Sequence, residues 1–356
     1  MSLIIMGVRG AAPFRRTVHM KAIAFRQSLP IESAESLIDI DLPEPQPRPR
    51  DLLVEIHAVS VNPVDVKVRT RASSQVGEPR VLGWDAAGVV RAVGKDVTLF
   101  REGDRVWYAG ALQRQGTNSE FHLVDERIVG KMPASLGFAE AAALPLTTIT
   151  AWELLFDRLQ IPESTAPTGA KLLVIGAAGG VGSILVQLAR QLTGVTVIGT
   201  ASRPETVDWI KSLGAHHVVD HTKPLAAELE HIGMKDVDYI IGLNQTDRHF
   251  EQIVEAIKPQ GKFALIDDPE LFDFRKFKSK SVSLHWEAMF TRSMFDTDDQ
   301  IRQHELLDRV AALVDSGKLR TTLTEIFGTI NAANLRRAHA LLESHRARGK
   351  IVLEGF

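Results

Sequence analysis

The sequence predicts an α/β protein with a β-rich domain and a doubly wound, parallel-sheet nucleotide-binding domain, and three observations predict it. First, an apolar β-run stops at a glycine-dense turn and an amphipathic segment follows at once, in Lys171-Leu-Leu-Val-Ile-Gly-Ala-Ala-Gly-Gly-Val-Gly-Ser183 and on to Leu192. Second, strand and helix patterns alternate from about Pro145 to about Val314, the order that crossover helices on a parallel sheet require. Third, residues 21–145 read as short strands broken by Pro- and Gly-rich turns.

Taken in order, residues 1–19 form a leader, expected to be disordered. Met20-Lys-Ala-Ile-Ala-Phe25 is the first strand-like run, and the opening apolar stretch is too short for a signal peptide, with Arg15 and Arg16 after it. The β-rich domain spans 20–145. Its clearest strands are Leu52–Ser60, which alternates with period two, and Gly88–Gly94; the Pro-dense 42–49 is a surface loop inside the domain. The nucleotide-binding domain spans 146–314, with strands at Leu172–Ile175, Val195–Thr200, His217–Asp220, Tyr239–Leu243 and Lys262–Ile266. The tail 315–356 ends in the strand-like Gly349-Lys-Ile-Val-Leu-Glu354 and closes the first domain.

Composition excludes several classes. With 44% hydrophobic residues in 356, the chain can bury cores for two domains. A net charge of −2 and no basic block argue against nucleic acid or an anionic membrane as partner, and a cytoplasmic protein is expected. The chain has no cysteine, which removes disulfides, thiolate nucleophiles and every Cys-containing zinc site. Among twelve histidines no helical i, i+4 ligand pair stands out; His304, His339 and His345 are expected on the surface.

The glycine turn carries the chemistry. Without a Cβ, Gly179 lets a pyrophosphate approach the backbone, Gly182 lets helix pack on strand, and the helix start at Gly180 and Val181 offers free N–H groups to the anion. Ala177 stands where the first glycine of G-x-G-x-x-G is expected. An NAD enzyme places Asp or Glu after the second strand, on the ribose 2′-OH; here Thr200-Ala-Ser-Arg203 offers the Ser202 hydroxyl and the Arg203 guanidinium, suited to a 2′-phosphate. The cofactor read from this is NADP(H), the other reading of Arg203 being a solvated loop arginine. His221 and Asn244, which follow the third and fourth strands, join the cofactor-binding set.

From Met20 onward the chain resembles the medium-chain dehydrogenase/reductase superfamily, in its zinc-free, quinone-oxidoreductase-like branch, a subgroup often labelled a zinc-binding alcohol dehydrogenase family. The resemblance rests on Val59-Ser-Val-Asn-Pro-Val-Asp65, Leu82-Gly-Trp-Asp-Ala-Ala-Gly88, Gly103-Asp-Arg-Val106, Glu140-Ala-Ala-Ala-Leu-Pro145, Thr150-Ala-Trp152 and the glycine turn. It implies a GroES-like β-barrel, a Rossmann domain, a cofactor in the cleft between them and a homodimer. It also implies that the Thr150 hydroxyl meets the nicotinamide half of the cofactor.

Metal-dependent members place a cysteine where this chain has Asn62 and a histidine where it has Trp84. The third ligand position falls among Leu146 to Thr148, and the four-cysteine structural-zinc lobe is missing. No metal is therefore expected. Without a Lewis acid the substrate must delocalise the incoming charge itself, as quinones and α,β-unsaturated carbonyls do. The expected activity is NADPH-dependent hydride transfer to such a small molecule, with water or a side chain supplying the proton. Asn62 would hydrogen-bond the acceptor oxygen or the nicotinamide ribose, with Asp65, Lys67 and Tyr108 as the polar groups around it. Each has a plainer reading: Asp65 as a structural carboxylate, Lys67 as solvated, Tyr108 as a packing residue, Trp84 as pocket wall or core. The Met- and aromatic-rich Ser283–Phe295 suits a pocket lid and a dimer edge. The alternatives are zinc-type alcohol dehydrogenase activity and a cofactor-binding protein without turnover.

Overall fold

A computed structural model describes residues 19–71 and 78–356, so most of the expected leader lies outside the described residues. The β-rich region contributes β1 (His19–Phe25), β2 (Ile38–Pro43), β3 (Asp51–Val61), β4 (Arg80–Val81), β5 (Asp85–Val93), β6 (Arg105–Ala109), β7 (Phe121–Asp125) and β8 (Val129–Lys131). Strand β3 is buried along most of its length, with Glu55 and His57 partly exposed on one face, because it is central: β5 and β7 pair with it. Two register shifts against β5, at Leu53/Val54 and Ile56/Ala58, mark bulges that curl the sheet. The Pro-dense residues end β2 and link it to β3, as the sequence implies.

The second sheet has six strands, β9 (Lys171–Ile175), β10 (Thr196–Thr200), β11 (His217–Val219), β12 (Val237–Gly242), β13 (Ile257–Leu265) and β14 (Ser283–Trp286). Every pairing is parallel, in the order β11-β10-β9-β12-β13-β14. Strands β9, β10 and β12 read as near-continuous apolar runs because helices cover the sheet. Strand order reverses between β9 and β12, which opens a crevice at their carboxyl ends, the place where such sheets bind ligands. Sheet β14 is missing from the expected strand set; it forms from the first residues of the aromatic-rich segment.

The last strands, β15 (Leu323–Ile326) and β16 (Lys350–Glu354), return to the first sheet, where β16 pairs antiparallel with β3. The Gly349 amide donates to Ala178 O at 3.0 Å, so the returning chain touches the glycine turn. The fold is thus α/β, a GroES-like barrel beside a Rossmann-type parallel sheet. One expectation is overturned here: His339 is wholly buried, receiving Arg69 Nε on its Nδ1 at 3.4 Å, because its helix Ala332–Glu343 turns that face onto the helix Pro63–Arg71. His304 is also partly buried, with Nδ1 2.6 Å from Val129 O. Among the described residues no helix is long and apolar enough to cross a membrane.

Candidate active site

The tight turn after β9 is made by Gly176, with φ +83, rather than by the residue at the motif's first glycine position. A Cβ there would also lie 2.8 Å from Asn244 Oδ1, so Asn244 is seated against the turn. At Gly182 a Cβ would lie 2.5 Å from the Ala177 backbone, which fixes the close helix–turn approach. Gly179 has open space beside it, its nearest neighbour being 3.5 Å away. The helix Gly180–Leu192 then begins, and the first-turn N–H groups of Gly180, Val181 and Gly182 lack intrahelical acceptors at the carboxyl end of the sheet.

Around this turn stand the other expected cofactor residues. Ser202 and Arg203 are exposed at the end of β10, and Arg203 precedes the helix Pro204–Ser212 with Glu205 as an ion partner, at 3.4 Å. Thr150 lies on the helix Pro145–Trp152, which abuts the turn through Thr147, and its hydroxyl donates to Leu146 O at 2.9 Å. His221 follows β11 and meets His249 edge to face at 5.9 Å; the buried Nδ1 atoms of both have no partner among the described residues.

Beneath the turn lies a buried polar network. Asn62 Nδ2 donates to Asp85 Oδ2 at 2.9 Å and to Ser60 O at 3.2 Å, while its Oδ1 accepts from Lys350 Nζ. Lys350 Nζ also donates to Val61 O at 3.0 Å and lies 3.2 Å from Asp85 Oδ2. The other Asp85 oxygen accepts from Leu146 N at 2.8 Å. Asp65 caps its own turn, accepting from Asn62 N at 2.8 Å. Burial pushes the Asp65 carboxyl up to about 7, and it raises Asp85 as well; burial lowers Lys350, against the pull of Asp85. The Lys350 stem runs under the cofactor turn, where a Cβ on Gly180 would lie 2.9 Å from its Cδ. Asp85 and Lys350 escaped the sequence reading; the available signal was a lysine inside an apolar strand run, where a charge needs a partner.

The expected catalytic set is not brought together. Asn62 and Asp65 sit side by side, but both are buried and the Asn62 amide is fully engaged, leaving no N–H for an acceptor. Tyr108 lies inside the barrel, wholly buried, its hydroxyl 3.0 Å from His122 Nδ1 and its ring stacked on that imidazole. Val106 to Ala109 on β6 are all buried, and Tyr108 packs among them. Lys67 is half-exposed on the helix Pro63–Arg71, paired at 3.1 Å with Asp268, which also holds Arg71. Trp84 is a core residue, Nε1 donating to Ala111 O at 3.3 Å and its ring edge-on to Phe290 at 6.2 Å.

A glycine turn at the switch point of a parallel sheet, set against a barrel whose floor abuts that turn, defines a nicotinamide-dependent oxidoreductase of the two-domain type. Residues 48–152 match the family described as alcohol dehydrogenase GroES-like domain, and 213–353 match zinc-binding dehydrogenase. A Staphylococcus epidermidis protein named "Zinc-type alcohol dehydrogenase-like protein" is 40% identical over 94% of this chain and 99% of its own. A Rhizobium etli structure titled a putative zinc-dependent alcohol dehydrogenase superposes with TM-score 0.92 at 57% identity, covering 96% of this chain and 99% of the other. A Pseudomonas syringae quinone oxidoreductase gives TM-score 0.78 at 28% identity over 94% and 100%. The chain belongs to the medium-chain dehydrogenase/reductase superfamily, on its quinone-oxidoreductase-like branch.

The residues fit the implied cofactor: the turn's open face at Gly179 and the free first-turn amides would hold a pyrophosphate. They do not fit the zinc of the family description. At its two inner positions stand an amide committed at both ends and an indole, and among the described residues no group of three His, Asp or Glu side chains is arranged to hold a metal.

Proposed function

We propose that the protein is an NADPH-dependent reductase that delivers hydride to a quinone or α,β-unsaturated carbonyl without a metal. One observation carries the reading: at the position where metal-dependent members of the superfamily are expected to place a ligand, this chain has a closed Lys350–Asp85–Asn62 network that offers neither a ligand nor a free donor to a substrate oxygen. A developing alkoxide would go unstabilised there, so the acceptor must spread its own charge into an enolate or quinol. The cofactor, when bound at the turn, supplies the hydride at its nicotinamide C4. Arg203 and Ser202 favour the 2′-phosphate of NADP(H), and Thr150 orients the nicotinamide side. With Tyr108 inside the barrel, Asp65 sealed and Lys67 salt-bridged, water supplies the proton. A homodimer formed through the edge strand β14 accords with its exposed Trp286.

The experiment is oxidation of NADPH and NADH followed spectrophotometrically against a panel of quinones, enones, aldehydes and simple ketones, with and without chelator. Turnover is expected with NADPH and the first two classes only, unaffected by chelator. Turnover of simple ketones or aldehydes that the chelator abolishes would establish the zinc reading, and NADPH binding without any turnover would leave a binding protein.

A further inference from the structure

Behind the nicotinamide side, two carboxyls that the sequence gives no reason to pair are buried together. Glu153 opens the π-helical turn Glu153–Arg158 that continues the Thr150 helix, and Glu287 follows β14, the edge strand of the parallel sheet. Both are almost wholly buried. One guanidinium, that of Arg158, reaches both: Nε to Glu287 Oε2 at 2.7 Å and Nη2 to Glu153 Oε2 at 3.5 Å. Arg292, on the helix Thr291–Phe295, holds Glu153 Oε1 and also Asp157 at 2.9 Å and Asp299 at 3.0 Å. Four carboxylates therefore face two guanidinium groups. His285, on β14, and Lys262, on the neighbouring β13, are further titratable neighbours, and burial, then Lys262 and Arg158, lower the His285 imidazole.

The second oxygen of Glu287, Oε1, is buried with no donor among the described residues, while the shared Arg158 guanidinium sets the Glu153 carboxyl beside the Glu287 carboxyl. Two ionised carboxylates have no hydrogen to place between them; one shared proton supplies the missing donor and removes one of the excess charges. We propose that Glu153 and Glu287 share one proton and form a pH-responsive clasp that positions the Glu287–Phe290 segment, where the parallel sheet meets the barrel. The clasp is a positioning device. It acts through Met289 and Phe290, both buried, the latter against Trp84 and the former held through its carbonyl by Gln303 Nε2 at 2.8 Å. Burial, and then the facing carboxyl, raise Glu153 above the usual carboxylate range.

The sign follows from linkage. Above the ordinary glutamate value the native chain holds one proton more than the unfolded chain, so each rise of one pH unit lowers the folding equilibrium constant about tenfold until the pair ionises. Glu287→Gln places an N–H2 at the orphan position, making the hydrogen bond without a proton to lose. Denaturant unfolding between pH 6 and pH 8, compared between the two proteins, should show wild type losing about a hundredfold more than E287Q; Asp65 contributes equally to both. Infrared difference spectra should show a protonated-carboxyl stretch in wild type at pH 8 that E287Q lacks. Should E287Q not fold, Glu153→Gln is read the same way. Equal slopes, or no carboxyl band in wild type, overturn the shared proton. The link to acceptor binding rests on the proposed reductase activity and has its own readout: acceptor KM rising at alkaline pH in wild type but flat in E287Q. Because unfolding and infrared spectra need no cofactor, failure of the clasp and failure of the reductase reading are distinguishable.

Discussion

Replacing Lys350 by Met removes the ammonium while keeping a stem of similar length against Gly180 and Thr147, so the change isolates charge from packing. In the native protein that ammonium is nearly inaccessible, 3% exposed, and its partner Asp85 is 0% exposed. The variant leaves Asp85 Oδ2, Asn62 Oδ1 and Val61 O facing an apolar thioether. Breaking one side of a buried ion pair costs about 3–5 kcal/mol, because the surviving charge is uncompensated. Asp85 can escape only by taking up a proton. Its carboxyl, already raised by burial, loses the Lys350 charge that lowers it, and so rises further. The deficit of Lys350→Met should therefore be larger at pH 8 than at pH 5, read from denaturant midpoints at both. Adding Asp85→Asn, which still accepts from Leu146 N, should return most of the loss, with a coupling energy of about 1–3 kcal/mol. A deficit below about 1 kcal/mol at pH 8, or strictly additive single variants, would refute the view that the ammonium neutralises this floor.

Arg203→Ala should weaken NADPH binding by about 1.5–3 kcal/mol, roughly ten- to a hundredfold, and leave NADH unchanged in calorimetric titration; equal losses for both would remove Arg203 from the 2′-phosphate. Tyr108→Phe should lower stability by about 1–3 kcal/mol by stranding His122 Nδ1, with kcat unaltered; a kcat loss of ~10²-fold would return Tyr108 to the chemistry. On acidification His122 and His339 matter most: burial lowers them to about 4 and about 3, so both stay neutral in the native protein but charge in the unfolded chain below 6.5. Their share of the stability should thus fall as pH drops from about 6.5 toward 4, by about 3 kcal/mol for His122 alone and against the opposite gain from the buried Asp65 and Glu153 carboxyls, so the difference between wild type and His122→Asn in urea titrations should shift by that amount.

The fold was largely legible because it rests on periodicity and on glycine. Apolar runs of five or six residues separated by helix-like stretches leave few arrangements other than a parallel sheet, and β9 to β13 fall where those runs lie. What the pattern hid was local exchange of roles. The glycine that makes the turn is Gly176, one residue before the motif's first position, because positive φ is needed where the strand ends. Strand β14 was invisible as a strand, since its four residues, Ser-Leu-His-Trp, are only half-buried at a sheet edge and lack a full apolar run.

The site was less legible, and the reason is physical. A sequence gives residue type, but whether a polar group faces a cleft or a core depends on which neighbours satisfy it. Tyr108 and His122 are both poor core residues singly, yet thirteen residues of intervening chain bring hydroxyl to imidazole and make the pair tolerable inside a barrel. His339 is hidden by the same logic, with Arg69 as its partner. Lys350, the hinge of the whole network, lies 265 positions from Asp85, and only the return of β16 onto β3 joins them. Of the polar residues that motif logic assigned to chemistry, Asn62 is consumed by that union, and Asp65 is buried beside it, holding the Asn62 amide. On the proposed reading, chemistry that needs a free donor would find it in the substrate or in water, and the locked floor, more than any single residue, would favour acceptors able to carry their own charge.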